Sequence, residues 1–194
     1  MKVIDNFIAA ELAKELEEYI HSQLDKPVWI HGHSFYHEEL KNYIVESMAP
    51  YIASLSKELS HKLKNNLLTQ GIFAKEPKEY DALIYNAYPL SSVGWHTDKH
   101  DEYEDGGSQC LGCRDVAGIS IYLNREWKPN WGGCFMLKDN KCDTQGKFYE
   151  PIYNRAVINN GRDVHAVSAV TNGAKNRYSV QIFVDRDALR QDLQ

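Results

Sequence analysis

The chain has 194 residues, 43% of them hydrophobic and 25% charged, with a formal net charge of -5 and a pI near 5.9. That is enough apolar material for a core of its own, and the acidic balance disfavours a binder of the nucleic-acid backbone, which needs a basic face. No apolar run reaches the length of a bilayer span, and Met1-Lys2-Val3-Ile4-Asp5-Asn6 lacks the apolar stretch of a secretion signal, so a cytoplasmic location without a membrane partner is expected.

In chain order, residues 1–70 read as a mainly helical support and 80–187 as a β-rich core, the whole forming one domain over 1–194. Val3 to Ile8 reads as a short strand and turn, followed by a helix from about Ala9 to His21 with Leu12, Leu16, Tyr19 and Ile20 at helical spacing. A second helical region is expected from Glu38 to Asn65. Its stripe of Ile44, Met48, Ile52, Leu55, Leu59 and Leu63 would pack on a sheet, with Pro50 starting a new segment or kinking the helix. Strands are expected over Ala82–Tyr88, Ala117–Leu123, Gly133–Leu137, Ala156–Asn159 and Tyr178–Val184, where aromatic and β-branched residues concentrate. Short strands without alternating helices exclude a parallel α/β sheet and favour an antiparallel sandwich or barrel. The expected class is α+β: a double-stranded β-helix, or jelly roll, with an N-terminal supporting helical layer.

Four cysteines are present. Cys110-Leu111-Gly112-Cys113 invites a zinc reading completed by Cys134 and Cys142. The gap between the second pair is wider than a zinc knuckle uses, and Cys134 begins the apolar run Cys134-Phe135-Met136-Leu137, so small, partly buried free thiols are expected instead.

His96-Thr97-Asp98 carries the strongest chemical signal. In an extended segment, positions two apart share a face, so both side chains can reach one ion. His165 follows a turn signal, Asn159-Asn160-Gly161-Arg162-Asp163, and starts a strand-like run. In a jelly roll, strands distant in sequence lie side by side, which would bring it to the same strand ends. Two imidazoles and one carboxylate occupy one face of a metal and leave the opposite positions open, a set that suits non-haem Fe(II) with O₂ and a co-substrate. Arg177 and Ser179, in Asn176-Arg177-Tyr178-Ser179, share a strand face and could clamp a carboxylate through a guanidinium fork and a hydroxyl. The acidic stretch Lys99 to Gly107 reads as a solvated loop, or as a lid over Asp101 to Asp105 that favours a cationic substrate group; His100 is treated as part of that loop.

From about Tyr85 to Asp187 the chain resembles the Fe(II)/2-oxoglutarate-dependent dioxygenases, within them the prolyl-hydroxylase branch. The matching residues are Ala87-Tyr88-Pro89, His96-Thr97-Asp98, Ile119-Ser120-Ile121-Tyr122-Leu123-Asn124, Trp127, Gly132-Gly133, His165-Ala166-Val167 and Arg177-Tyr178. The resemblance implies Fe(II) held by His96, Asp98 and His165, with 2-oxoglutarate as co-substrate, O₂ as oxidant and ascorbate as a candidate reductant. It implies that Arg177 pairs with the distal carboxylate of 2-oxoglutarate, that Tyr122 hydrogen-bonds it, and that Tyr88 approaches the co-substrate near the metal. Gly132-Gly133 would let a strand pass close to the site. The implied reaction hydroxylates an amino acid, a peptidyl residue or a small metabolite, with release of succinate and CO₂; a carboxylate at Asp98 favours this over halogenation. The spacing from Tyr88 to His96 is shorter, and from His165 to Arg177 longer, than in the hypoxia-sensing members. Two alternatives remain open: an AlkB-like nucleic-acid demethylase, suggested by Asn86-Ala87-Tyr88 and Val93-Gly94-Trp95-His96, and a non-catalytic metal-binding jelly-roll sensor. The sequence leaves the oligomeric state open.

Overall fold

The computed structural model describes residues 1–31, 49–98, 116–139 and 142–194. Its strands are β1 (Lys2–Ile4), β2 (Ile30–His31), β3 (Tyr51–Ser54), β4 (Tyr80–Ala87), β5 (Val93–His96), β6 (Val116–Tyr122), β7 (Phe135–Asp139), β8 (Cys142–Tyr149), β9 (Ala156–Asn160), β10 (His165–Val167) and β11 (Arg177–Asp185). Its helices are α1 (Ala10–Gln23) and α2 (Lys57–Thr69). The strands form a seven-stranded sheet, β1-β9-β6-β11-β4-β3-β2, and a four-stranded sheet, β5-β10-β7-β8. Neighbouring strands pair antiparallel throughout. The class is the expected α+β jelly roll, with two facing sheets that stay open rather than closing into a barrel.

Strand alternation decides what each face of the large sheet does. Ala82 and Ile84 on β4, Ala117, Ile119 and Ile121 on β6, Ile158 on β9, and Val180, Ile182 and Val184 on β11 are buried in one apolar cluster. Leu12, Leu16 and Ile20 of α1 and Leu59, Leu63 and Leu67 of α2 join it from the helices, each set repeating every four residues. Ser56 starts α2 by accepting a hydrogen bond from the Leu59 amide at 3.3 Å. The residues of opposite parity face the small sheet. They are less apolar: Gly118, Ser120 and Tyr122 on β6, Ser179 and Gln181 on β11, Asn159 on β9. Among the described residues, buried Tyr122, Phe135 and Val157 form a second, small apolar cluster, with Met1, Val3, Leu137 and Tyr149 packed against it.

One expectation is corrected. The helical region drawn from Glu38 to Asn65 does not run through Pro50. Residues 51–54 are strand β3, which pairs with β4, and the helix begins at Lys57. Ile52 therefore belongs to a strand, and the apparent stripe of Ile52, Leu55, Leu59 and Leu63 joins a period-two segment to a period-four one. Proline removes a donor and resists helix continuation, while the Ser56 cap supplies the true start. The part of that region over 38–48, with Ile44 and Met48, lies outside the described residues. The edge strand β8 escaped the sequence reading because Asp-Thr-Gln-Gly-Lys carries no apolar alternation. Among the described residues it pairs on one side only, with β7, so strand pairing there does not demand a buried face.

Candidate active site

β5 and β10 lie side by side, with His96 directly opposite His165 in the antiparallel register. The pairing brings the two rings to 4.2 Å between centroids. Asp98 follows two residues after His96 and turns one oxygen to both histidines: Oδ1 lies 3.6 Å from His96 Nε2 and 3.5 Å from His165 Nε2. Among the described residues these three form the one group whose His, Cys, Asp or Glu ligand atoms could hold a metal, all within 4.8 Å of one another.

The backbone fixes which nitrogens face inward. His96 Nδ1 lies 2.8 Å from the Gly94 carbonyl, and His165 Nδ1 lies 2.8 Å from the Asp163 carbonyl. A carbonyl only accepts, so each Nδ1 carries the proton and each Nε2 offers its lone pair to the centre of the group. Phe135 stacks on the His165 ring at 5.1 Å and 11°, which fixes its plane. Burial pulls the His165 pKa below its ordinary value, favouring the neutral ligand form. For Asp98 burial is the largest influence and acts upward, but His96, His165 and the Asn159 amide together bring its carboxyl below the usual range. The donor set therefore fits a divalent metal: two imidazoles with Nε2 turned inward and one carboxylate.

Asp98 rests on a floor built for it. Asn159 Nδ2 donates to Asp98 Oδ2 at 2.9 Å. Gly118 leaves the necessary space, since a Cβ there would stand 2.9 Å from Asp98 Oδ2 and 2.7 Å from Asn159 Oδ1.

A pocket opens from this group along the inner face of the large sheet and reaches Arg177. Tyr85, Val93, Phe135, Val167 and Phe183 supply apolar wall; Ser120 and Gln181 add polar groups, with Arg177 also lining it. Arg177 is 1% exposed. Its Nη1 donates to the Gly133 carbonyl at 2.6 Å, and its guanidinium carbon lies 5.5 Å from the Tyr122 ring centroid. Its Nε and the Tyr122 hydroxyl are both buried without a hydrogen-bond partner among the described residues. Burial lowers the Arg177 pKa and pushes the Tyr122 phenol up to about 12. A guanidinium removed from water without an anion is costly by several kcal/mol. Two orphaned donors together therefore fit one acidic group of a ligand, and a dicarboxylate such as 2-oxoglutarate supplies it.

Local sequence explains why Arg177 points there. Asn124, just beyond β6, donates to the Asn176 carbonyl at 2.8 Å and accepts from the Tyr178 amide at 2.6 Å, so it staples both flanks of Arg177. Gly132 and Gly133 have φ of +68° and +66°. A Cβ on Gly133 would stand 3.0 Å from Arg177 Cδ, and Trp127 Nε1 donates to the Gly132 carbonyl at 3.0 Å. The Leu123-Asn124…Trp127…Gly132-Gly133 series is thus the frame of the arginine.

The remaining expected residues are placed as follows. Ser179 is fully buried on the same face as Arg177, with Gln181 Nε2 at 3.5 Å from its Oγ, and is absent from the pocket lining. Tyr88 lies just past the end of β4, its ring 5.3 Å from Tyr51, and is absent from the pocket lining, where Tyr85 stands instead. A further arginine of the β-rich half, Arg155, outside the expected site set, makes a fork with Asp5 at 2.6 and 3.0 Å. Cys134 is half-buried, with burial raising its thiol. Cys110 and Cys113, the Cys142 side chain, His100 and the lid segment Asp101 to Asp105 lie outside the described residues. Sequence reasoning missed Tyr85, Ser120, Gln181, Phe135 and Asn159. Alternation would have found two of them: Arg177 and Ser179 extended along β11 reach Gln181, and Tyr122 extended back along β6 reaches Ser120.

An open jelly roll with two histidines and a carboxylate at facing strand ends suits one metal ion with open coordination positions. The family model of the 2OG-Fe(II) oxygenase superfamily matches residues 83–185. The chain belongs to that superfamily, whose members use Fe(II), 2-oxoglutarate and O₂. No curated protein matches it in sequence. Solved structures with the same fold include a prolyl-4-hydroxylase of Pseudomonas putida, at 15% identity and TM-score 0.67, covering 95% of this chain and 91% of that one. A prolyl hydroxylase from Trichoplax adhaerens, in complex with a hypoxia inducible factor oxygen degradation domain peptide, has 16% identity and TM-score 0.70, covering 95% and 82%. A viral collagen prolyl hydroxylase from Paramecium Bursaria Chlorella virus-1, in its 2OG complex, has 14% identity and TM-score 0.61, covering 94% and 93%. No helix among the described residues is long and apolar enough to cross a membrane.

Proposed function

We propose that the protein is a 2-oxoglutarate-dependent hydroxylase acting on an amino acid, a peptidyl residue or a small metabolite, with His96, Asp98 and His165 holding Fe(II). The observation that carries this reading is one pocket lined by both the three-ligand group and Arg177, whose Nε, like the hydroxyl of neighbouring Tyr122, is buried without a hydrogen-bond partner among the described residues. Iron, when bound, supplies the oxidative chemistry that couples conversion of 2-oxoglutarate and O₂ to succinate and CO₂ with hydroxylation of the substrate. The chain's own residues do the rest. Gly94 and Asp163 hold the histidines in the ligating tautomer. Arg177 and Tyr122 bind and orient the distal carboxylate of 2-oxoglutarate, with Ser179 buried on the same strand face as Arg177. Val93, Phe135, Val167 and Phe183 keep bulk water from the reacting end. The peptide bound by the Trichoplax neighbour supports testing peptidyl proline first. Tyr88 does not line the pocket and carries no role in this reading.

The test measures succinate formation from 2-oxoglutarate under air by the Fe(II)-loaded protein, with a panel of free amino acids and proline-containing peptides, alongside the mass of each panel member. A +16 Da product coupled to succinate supports the hydroxylase. No 2-oxoglutarate consumption by wild type, with or without the panel, overturns it. His165→Ala should abolish turnover.

A further inference from the structure

Resting on that reading of the metal site, we propose that Asn159 is a positioning residue that holds Asp98 to single-oxygen ligation. Both histidine Nε2 atoms face the same carboxylate oxygen, Oδ1, at 3.6 and 3.5 Å. The other oxygen, Oδ2, is taken by Asn159 Nδ2 at 2.9 Å. Nδ2 also donates to the Asn160 carbonyl at 3.3 Å, so the amide is tied on both of its hydrogens. Only the NH₂ end of an amide can face a carboxylate, and this fixes its orientation. Asn159 is 2% exposed, so water does not replace this bond freely. Its rigidity comes from the sheet, where Asn159 pairs with Gly118 across β9 and β6.

The geometry has a chemical purpose. A carboxylate free to swing can give a metal both oxygens and fill a position that a co-substrate or O₂ needs. With Oδ2 engaged, Asp98 offers Oδ1 alone, and three protein atoms leave the opposite face open. The same turn serves a second ligand: Asn160 closes on the Asp163 amide at 2.8 Å, and the Asp163 carbonyl orients His165. The Asn159-Asn160-Gly161-Arg162-Asp163 segment, which reads in the sequence only as a turn, therefore carries the outer contacts of two of the three ligands.

The test uses the full chain with Mn(II) for affinity and Co(II) for coordination geometry, both independent of turnover. Asn159→Ala removes the amide, and Asn159→Leu removes it while keeping its approximate shape. Loss of an outer partner of a metal ligand typically weakens binding about 10–100-fold. Both variants should lose Mn(II) affinity in that range, and their Co(II) visible spectra should change as the carboxylate turns, while the metal-free melting temperature moves little. Wild-type Mn(II) affinity and an unchanged Co(II) spectrum in these variants overturn the proposal. His165→Ala separates the two readings. If it leaves Mn(II) binding intact, the metal site itself is misassigned; if it abolishes binding while the Asn159 variants bind normally, only the role of Asn159 fails. Should both Asn159 variants fail to fold, the wild-type side-chain amide decides by NMR. Slow hydrogen exchange at Asn159 Nδ2, lost in Asp98→Ala, supports the contact, and fast exchange in wild type overturns it.

Discussion

At the scale of single residues, the molecule places most of its unusual chemistry on Arg177. Among the described residues the guanidinium, 1% exposed, has one carbonyl partner and an idle Nε, so an anion beside it offsets a desolvation cost of several kcal/mol. Truncating one partner of a buried charge pair costs on the order of 2–5 kcal/mol, so Arg177→Ala should weaken 2-oxoglutarate binding roughly 30-fold or more. Metal affinity should survive, because Arg177 is not among the three grouped ligands. Arg177→Lys keeps the charge but loses the fork, and should fall between. Tyr122→Phe removes one hydrogen bond to a charged acceptor and should cost less, about 0.5–3 kcal/mol. Anaerobic titration of 2-oxoglutarate into the Fe(II) protein, followed by its metal-to-ligand absorption band, measures all three. Wild-type affinity in Arg177→Ala would place the clamp elsewhere.

At the scale of elements, two glycines with positive φ separate strain from function. Gly133 and Gly173 have φ of +66° and +88°. A Cβ on Gly133 would press on Arg177 Cδ at 3.0 Å, whereas one on Gly173 would meet nothing within 4 Å. Gly173→Ala should cost stability alone, about 1 kcal/mol for a left-handed non-glycine residue. Gly133→Ala should add a loss of 2-oxoglutarate affinity, because the new methyl displaces the guanidinium. Thermal unfolding and the same titration, run on both variants, distinguish them; equal 2-oxoglutarate affinity in the two would detach Gly133 from the clamp. The helix that supports the sheet depends on a smaller device. Ser56→Ala removes the cap of α2 and should cost about 1 kcal/mol, read as a lower melting temperature with unchanged 2-oxoglutarate binding.

At the scale of the whole molecule, the buried ligands tie stability to pH. His165 has a folded pKa below its ordinary value, chiefly through burial. Between that folded pKa and the ordinary value of about 6.5, the unfolded chain binds the proton that the folded chain refuses. Stability from His165 is therefore fully present above about pH 6.5 and declines as pH falls through this window. Asp98 acts in the same sense at lower pH: its lowered carboxyl contributes stability that is present above its ordinary value of about 3.9 and is lost on further acidification. The metal-free protein should show a melting temperature that falls from pH 7 to pH 5. His165→Ala should flatten the upper part of that fall; an unchanged slope would mean that another group governs it. Bound ligand shifts the same balance upward, since saturation at 100 times Kd adds about 2.7 kcal/mol.

How much of this was legible in the chain differs by kind of signal. Local patterns were enough for α1, for β4, β6, β7, β9 and β11 and for the class of fold, because three- to four-residue and two-residue periodicities are properties of neighbouring residues. The motif residues were legible as candidates because their types are chemically demanding: an arginine opening a strand, and histidine and aspartate one residue apart. Where two short periods abutted, as at Pro50, the pattern misled, and β8 was silent because an edge strand need not alternate. Antiparallel pairing alone sets His96 opposite His165, and with it the shared orientation of both toward Asp98 Oδ1. Tertiary packing likewise decides that Tyr85 rather than Tyr88 lines the pocket, and that Asn159 on β9 meets Asp98 across the space left by Gly118. The physical reason is common to all three. Sequence determines which face a side chain takes within its own element, but which groups meet across elements depends on strand register and on the close packing between sheets.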